Sequence, residues 1–271
     1  LGARTAGHPE NFVSQAIETT TGPLGQGIAN SVGFAMAEEI QRAKFGKNVI
    51  DHYTYVFAGD GCLMEGVSQE AISLAGRQEL SKLIVFWDNN NITIDGKVDL
   101  ADATNQVDRF KSSGWHVLEI DGHDPIQIDL AIIEAKKSNK PTMIACKTHI
   151  ALGSSAQDTS KGHGALTDKT LIEETKKVYG WSQDAFFVPT EVKAAWEKIG
   201  KKGHEKKLSW ENRFSAISQK KQSEFLRIYS MEVPVALNKA INKFKKTIAF
   251  DQPKVATRKS SEMVLNVINP I

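Results

Sequence analysis

The sequence predicts an α/β protein: a doubly wound, mostly parallel sheet with helices on both faces, followed by a helical linker. Three observations carry this expectation. Short apolar runs alternate with stretches of helical periodicity. Each apolar run is flanked by polar turns, as strands of a buried parallel sheet are. One run ends in "AGDGC", where a single carboxylate, Asp60, stands between Gly59 and Gly61.

The elements follow in order. Residues 1–30 are rich in Gly, Thr and Pro and read as loop. From Gly25 to Phe45, Ile28, Val32, Ala35, Met36 and Ile40 recur at three- and four-residue spacing, which predicts a helix packed on one face. Tyr53–Ala58 and Leu83–Trp87 predict two strands, with Glu65–Glu79 as the crossover helix between them. Gly114–Asp121 predicts a third strand, and Asp124 ahead of Pro125 marks a second crossover helix. Thr142–Thr148 predicts a fourth strand. A long polar loop, "ALGSSAQDTSKGHGAL", comes next, then a Lys-rich helical pattern over residues 169–250 and a new helix near Thr257. The expected domains are an α/β domain over 1–168, a helical extension over 169–250, and the start of a second domain over 251–271. The sequence opens without Met and closes inside an apolar run, so the expectation is a segment of a longer chain.

Composition narrows the partners. A net charge of +2 argues against nucleic acid or anionic lipid as a bulk partner. No apolar run approaches the ~20 residues of a membrane span. Cys62 and Cys146 form neither a metal-type spacing nor a disulfide framework, which points to a reducing cytoplasm.

In open α/β sheets, ligands sit beyond the carboxyl ends of the strands. Asp60 lies there, and the next strand ends in "WDNNNITIDG", Trp87–Gly96. If the two strands are neighbours, Asp60 and Asn89–Asn91 face one crevice. A carboxylate, an amide oxygen and a backbone carbonyl are hard ligands that suit Mg2+ or Ca2+. Gly59 and Gly61 let the backbone approach a pyrophosphate, and the helix start beyond them offers free N–H groups. Gly-Asp-Gly alone is also an ordinary turn signature. The second, asparagine-rich strand end is what turns it into a metal–diphosphate reading.

With Asn90 thirty residues after Asp60, "GDGCLMEG" followed by "DNNNI" resembles the thiamine-diphosphate motif. "GHPE", "ETTTGPLGQGIANSVGFAMAE", "SLAGRQELSKLIVFWDNNNITIDG", "GWHVLEIDGHD", "CKTHIALGS" and "HGAL" make the chain similar to the transketolase family. The resemblance is dense over residues 6–168 and looser to Ile271. It implies transfer of a two-carbon ketol unit from a ketose phosphate to an aldose phosphate, in the pentose phosphate pathway. It also implies thiamine diphosphate, a divalent cation (Mg2+, or Ca2+ or Mn2+), sugar-phosphate substrates, and a homodimer with active sites at the subunit interface.

The roles implied by the resemblance are specific. Asp60, the Asn90 side chain and the Ile92 carbonyl would hold the cation; Gly61 and Asn90 would also touch the diphosphate. Gly22, Pro23 and Leu24 would line the aminopyrimidine pocket, and Ile94 would press on the cofactor. Glu65 would lie at the subunit interface. His8 and His163 would face the reacting carbon and move protons, with His163 also on the cofactor, and Arg258 would take the substrate phosphate. Read without the family, His8 is a solvated loop residue and His163 a linker or a mobile acid–base group. Glu65 is then a helix-start charge, and Arg258 one half of a surface pair with Lys259. His52, His116, His123 and His149 carry no argument of their own.

The family also draws a glutamate from a further domain of the partner subunit, so these 271 residues alone are expected to be inactive. Ala151 and Leu166 stand where the family usually has Gly and Pro, which touches local loop geometry. Two other readings remain. One is a non-catalytic metal–diphosphate-binding or dimerisation fragment. The other is a deoxyxylulose-phosphate synthase or 2-oxo-acid dehydrogenase relative, which shares the Asp and Asn pair but lacks the "GHPE" and "ETTTGPLGQG" text.

Overall fold

The computed structural model describes residues 7–13, 17–164 and 167–271; Leu166 lies outside them. The chain divides into two compact units, residues 1–200 and 201–271. The first holds a four-stranded sheet: β1 (Thr54–Gly59), β2 (Leu83–Asn89), β3 (His116–Asp121) and β4 (Thr142–Lys147), in the order β1-β2-β4-β3. All pairings are parallel, with Gly59 opposite Asp88 and Asn89 opposite Lys147. The carboxyl ends of β1, β2 and β4 therefore lie side by side along one edge.

Strand alternation builds the two layers on either side. Val56, Ala58, Leu83, Val85, Trp87, Met143 and Ala145 face one way. They pack on Ile28 and Val32 of α1 (Gln26–Phe45), on Leu63 of α2 (Asp60–Met64) and on Ile72 and Ala75 of α3 (Gly66–Arg77). Phe110 of α4 (Gln106–Ser112) and Trp115 complete that layer. Ile84, Phe86, Ile144 and Cys146 face the other way and meet Ala131 and Ala135 of α5 (Pro125–Ala135). Strands β2 and β4 are covered on both faces, which is why they read as continuous apolar runs. Strand β1 is not: Tyr55 and Phe57 stay exposed, and Phe57 stacks on Phe86 at 5.2 Å.

The structure departs from the sequence reading in three places. The predicted helix over Glu65–Glu79 is found as α3, and ahead of it lies a short unforeseen helix, α2, set off at Glu65, whose ψ of 137° is extended. The second departure is α4, an unforeseen helix capped by Asn105, whose side chain accepts from the Asp108 N–H. The third is on α1, where Ile40 is not part of the packed face and remains 65% exposed. Glu38 takes that place instead, because 28, 31, 32, 35 and 38 form the stripe that meets the sheet. Its carboxylate lies 3.1 Å from Lys82 Nζ and 3.5 Å from Arg42 Nε. Burial would lower the Lys82 pKa, but hydrogen bonds to Asp51 and Glu38 hold it above the ordinary value. The pairing locks α1 to the foot of β2.

The predicted start of α5 is as expected: Asp124 accepts from the Ile126 and Gln127 N–H groups, with Pro125 in the first turn. Beyond β4 the chain is helical, through α6 (Lys169–Val178), α7 (Thr190–Ser215), α8 (Gln219–Tyr229), α9 (Val235–Asp251) and α10 (Thr257–Ile268). In the second unit, Trp210, Phe214, Phe225 and Tyr229 form a stacked aromatic cluster. No helix among the described residues is long and apolar enough to cross a membrane.

One glycine is dictated by close approach. A β-carbon at Gly76 of α3 would lie 1.8 Å from the Ser113 carbonyl oxygen at the end of α4. Nearby, Trp115 Nε1 donates to the Ile72 carbonyl at 2.9 Å. Gly76→Ala is expected to destabilise the protein by about 3 kcal/mol in urea unfolding. Gly66→Ala, where an added β-carbon meets nothing within 4 Å, should change stability by less than about 1 kcal/mol.

Candidate cofactor and cation site

Asp60 is the first residue of α2, directly after β1, and is 7% exposed. Trp87 Nε1, from the tip of β2, donates to its Oδ1 at 2.9 Å. The Asn91 backbone N–H also donates to this carboxylate. The other oxygen, Oδ2, is buried and has no hydrogen-bond partner among the described residues. Burial pushes the Asp60 pKa up, against the downward pull of those two donors. Asp60, Trp87, Asn89, Asn91, Asp102 and Gln106 line a hollow of about 210 Å3. The two strand tips predicted to share a crevice thus share one.

The rest of the β2 tip is a tight loop. Asn90 Oδ1 accepts from the Ile92 N–H at 3.0 Å. Asn91 has φ +64°, a left-handed conformation that asparagine tolerates. Ile92 is buried and pairs with Lys97 in an antiparallel bridge, and the Thr93 N–H donates to the Gly96 carbonyl. Ile94 sits in that turn, 71% exposed.

The loop before α1 meets the same edge. Gly22 has φ +140°, and a β-carbon there would lie 2.6 Å from His8 Cγ, so the His8 ring packs directly on Gly22. The Thr21 N–H donates to the Pro9 carbonyl at 3.2 Å and holds the two segments together. A β-carbon at Gly61 would lie 3.0 Å from Leu24 Cδ1, and one at Gly25 would lie 2.7 Å from Glu65 Cβ. His8, Gly22, Leu24, Gly61 and Glu65 are therefore brought together, although nothing in their spacing along the chain requires it. A larger hollow of about 890 Å3, lined by Pro9, Gly22, Pro23, Asn30, Tyr55 and Phe57, opens beside β1. Asp60 lines the smaller hollow and not the larger one.

His163 ends the 3-10 turn Ser160–His163 and is exposed. Its loop leaves β4 beside the β2 tip, where the Thr148 N–H donates to the Asn89 carbonyl at 3.3 Å and its hydroxyl pairs with Asp88. Arg258 lies in the first turn of α10, exposed, in the second unit.

The residues present suit a hard divalent cation and a phosphorylated ligand. Among the described residues no three His, Cys, Asp or Glu side chains gather as a metal cluster, so a cation here takes one carboxylate and neutral oxygens. Asp60 Oδ2 is free to serve, and Asn90 Oδ1 keeps a second lone pair beyond its bond to Ile92. Neither Gly59 nor Gly61 has a positive φ, so the backbone conformation does not require glycine at either. At Gly59 an added β-carbon would meet nothing within 4 Å, which leaves room for a ligand to approach the main chain. Trp87 and Gln106 were missed by the sequence reading; the inward parity of 83, 85 and 87 places Trp87 on the buried face but does not bring its N–H to Asp60.

A parallel α/β sheet with polar donors gathered at its carboxyl edge is the class of domain that binds nucleotides and phosphorylated cofactors. The chain belongs to the transketolase family: the family model for the transketolase thiamine diphosphate binding domain matches residues 1–234. A transketolase from Rhodobacter capsulatus is 52% identical over 271 residues, all of this chain and 40% of the relative. Transketolase 1 of Escherichia coli K12 is 40% identical over 280 residues, covering 42% of that protein. Among solved structures, transketolase from Leishmania mexicana superposes with a TM-score of 0.88 at 39% identity, over 99% of this chain and 41% of that one. A Pichia stipitis transketolase complexed with sedoheptulose-7-phosphate superposes at 0.87 and 41% identity, over 100% of this chain and 41% of that one. The chain thus spans about 40% of the length of the curated relatives it matches.

The raised Asp60 pKa has a stability consequence. A carboxyl raised on folding is destabilising once ionised, so stability falls as pH climbs from the ordinary carboxylate range through the folded value. Asp60→Asn removes that penalty. Without cation or cofactor, its melting temperature at pH 7 should exceed the wild type's, and the gap should close towards pH 4. In the complete polypeptide, with Mg2+ and thiamine diphosphate together, only the wild type should gain stability.

Proposed function

We propose that this chain supplies the diphosphate-binding part of a ketol-transferring active site. The observation that carries the reading is the buried Asp60 carboxylate, with one oxygen bonded to Trp87, the other without a partner among the described residues, and a hollow shared with Asn89 and Asn91. Asp60, the Asn90 amide oxygen and the Ile92 carbonyl would hold Mg2+, with Ca2+ or Mn2+ as substitutes. Gly61 and Asn90 would take the diphosphate. When bound, thiamine diphosphate supplies the electron sink for breaking and making the bond beside a ketose carbonyl.

The protein's own groups do the rest. Leu24 and Ile94, two apolar side chains left 52% and 71% exposed, would pack against the cofactor and exclude water from it. Gly22 and Pro23 would line its pyrimidine end. His8 and His163 would pass protons to and from the sugar oxygens. Arg258 would grip the sugar phosphate through its guanidinium fork. Glu65, exposed at the break between α2 and α3, suits a place at a homodimer interface. A reducing, cytoplasmic setting fits the two free thiols. Of these, burial pushes the Cys146 pKa to about 11, which keeps it inert.

The activity belongs to the complete dimeric protein. Xylulose 5-phosphate with ribose 5-phosphate should be turned over by the complete polypeptide, and pyruvate with glyceraldehyde 3-phosphate should not. The 271 residues alone should show weak or no calorimetric binding of thiamine diphosphate with Mg2+, and no turnover. His163→Ala in the complete protein should lower kcat about 100-fold or more while leaving cofactor affinity within about tenfold. Unchanged kcat would remove His163 from the mechanism.

A further inference from the structure

We infer that His149 and Asp158 form a clasp that positions His163, an inference that rests on the role proposed for His163 above. The loop after β4 closes on itself across nine residues. His149 Nδ1 lies 3.0 Å and 2.9 Å from the two carboxylate oxygens of Asp158. An ionised carboxylate only accepts, so Nδ1 carries the proton and donates. The clasp is braced from the β3–α5 turn: the His149 backbone N–H donates to His123 Nε2 at 2.9 Å, and the two imidazoles stack at 5.8 Å and 12°. Gly122 permits this approach, since a β-carbon there would lie 2.5 Å from Thr148 Cγ2.

Inside the clasp the loop is firmly shaped. The Asp158 N–H donates to the Ile150 carbonyl at 3.2 Å, and the Gly153 N–H to Gln157 Oε1 at 2.8 Å. Ser154 and Ala156 are buried, and Tyr179 OH of the segment after α6 donates to the Leu152 carbonyl at 2.7 Å. Gly162 fits only because it lacks a β-carbon, which would lie 2.8 Å from that of Ala151. Asp158 stands two residues before the 3-10 turn that ends in His163. Its φ of +57° suits few residues other than Asn, Asp and Gly. The groups facing Asp158 are His149, Gln157 and Lys147, which together hold its carboxyl below the ordinary range although burial alone would raise it.

Both partners are about half exposed, at 48% and 46%. Exposed pairs add little to global stability, so the consequence of this one is local: it sets where the 3-10 turn begins. A small misplacement of a reacting group lowers kcat steeply.

The test is a mutant cycle in the complete polypeptide, with ketol transfer and thermal unfolding both measured. Asp158→Gly removes the carboxylate while tolerating the positive φ; Asp158→Asn keeps an acceptor for His149. Asp158→Gly and His149→Ala should each lower kcat about tenfold with KM nearly unchanged, and the double variant should be no worse than either. Asp158→Asn should recover to within about threefold of wild type, with melting temperatures of all variants within about 2 °C. On a His163→Ala background, Asp158→Gly should cost nothing further. Full kcat in Asp158→Gly and His149→Ala, beside an impaired His163→Ala, overturns the clasp and leaves His163 in place. So do losses that multiply with His163→Ala. A fully active His163→Ala overturns both readings.

Discussion

The site depends on a carboxylate kept dry at a strand tip, and on the indole that makes this tolerable. Asp60 is buried where β1 passes into α2, and the Trp87 N–H from the neighbouring strand meets one of its oxygens. A charge without such a donor would be expelled or neutralised there. The indole satisfies one oxygen of the carboxylate, and Asp60 lines a hollow with Asn89, Asn91, Asp102 and Gln106. The parallel pairing of β1 and β2, with Gly59 opposite Asp88, fixes both groups at the same height. The Glu38–Lys82 pairing holds α1 against the foot of β2, and so sets where the Gly22–Leu24 loop arrives. Asp60, the Asn89–Asn91 loop, the loop before α1 and the root of the His163 loop all meet along one strand edge.

Much of this was legible in the sequence, for reasons that differ by residue. The strands show because β2 and β4 are covered on both faces and tolerate little but apolar side chains. The nearness of Asp60 and Asn89–Asn91 shows because strands joined by one crossover helix usually pair. The role of Trp87 does not show: indoles in apolar runs are ordinarily core, and only the register puts its N–H against Asp60. Glu38 was hidden by the opposite error, since a charged residue reads as solvent-facing until a Lys from another element is found against it. The short helix α2 left no mark, because Asp60 between Gly59 and Gly61 reads as a tight turn. His149 and Asp158 sit in an irregular loop where no periodicity links position to neighbour, so their pairing is a tertiary fact only.

The loop after β4 also accommodates Ala151, which the resemblance marks as a departure from glycine and whose φ is +50°. An alanine in that conformation costs about 1 kcal/mol relative to glycine. Its β-carbon is used, however, since it packs where Gly162 comes closest. Loop shape here is held by side-chain pairing and by that contact, where glycine alone would leave it looser.

Strand β1 has a partner on one side only among the described residues, and Phe57 on its outer face is 82% exposed, beside a half-bare Tyr55. An unpaired strand margin flanked by bare aromatic rings is adhesive. Such a margin favours self-association at high concentration, and agents that coat aromatic surface would counter it more than changes of ionic strength.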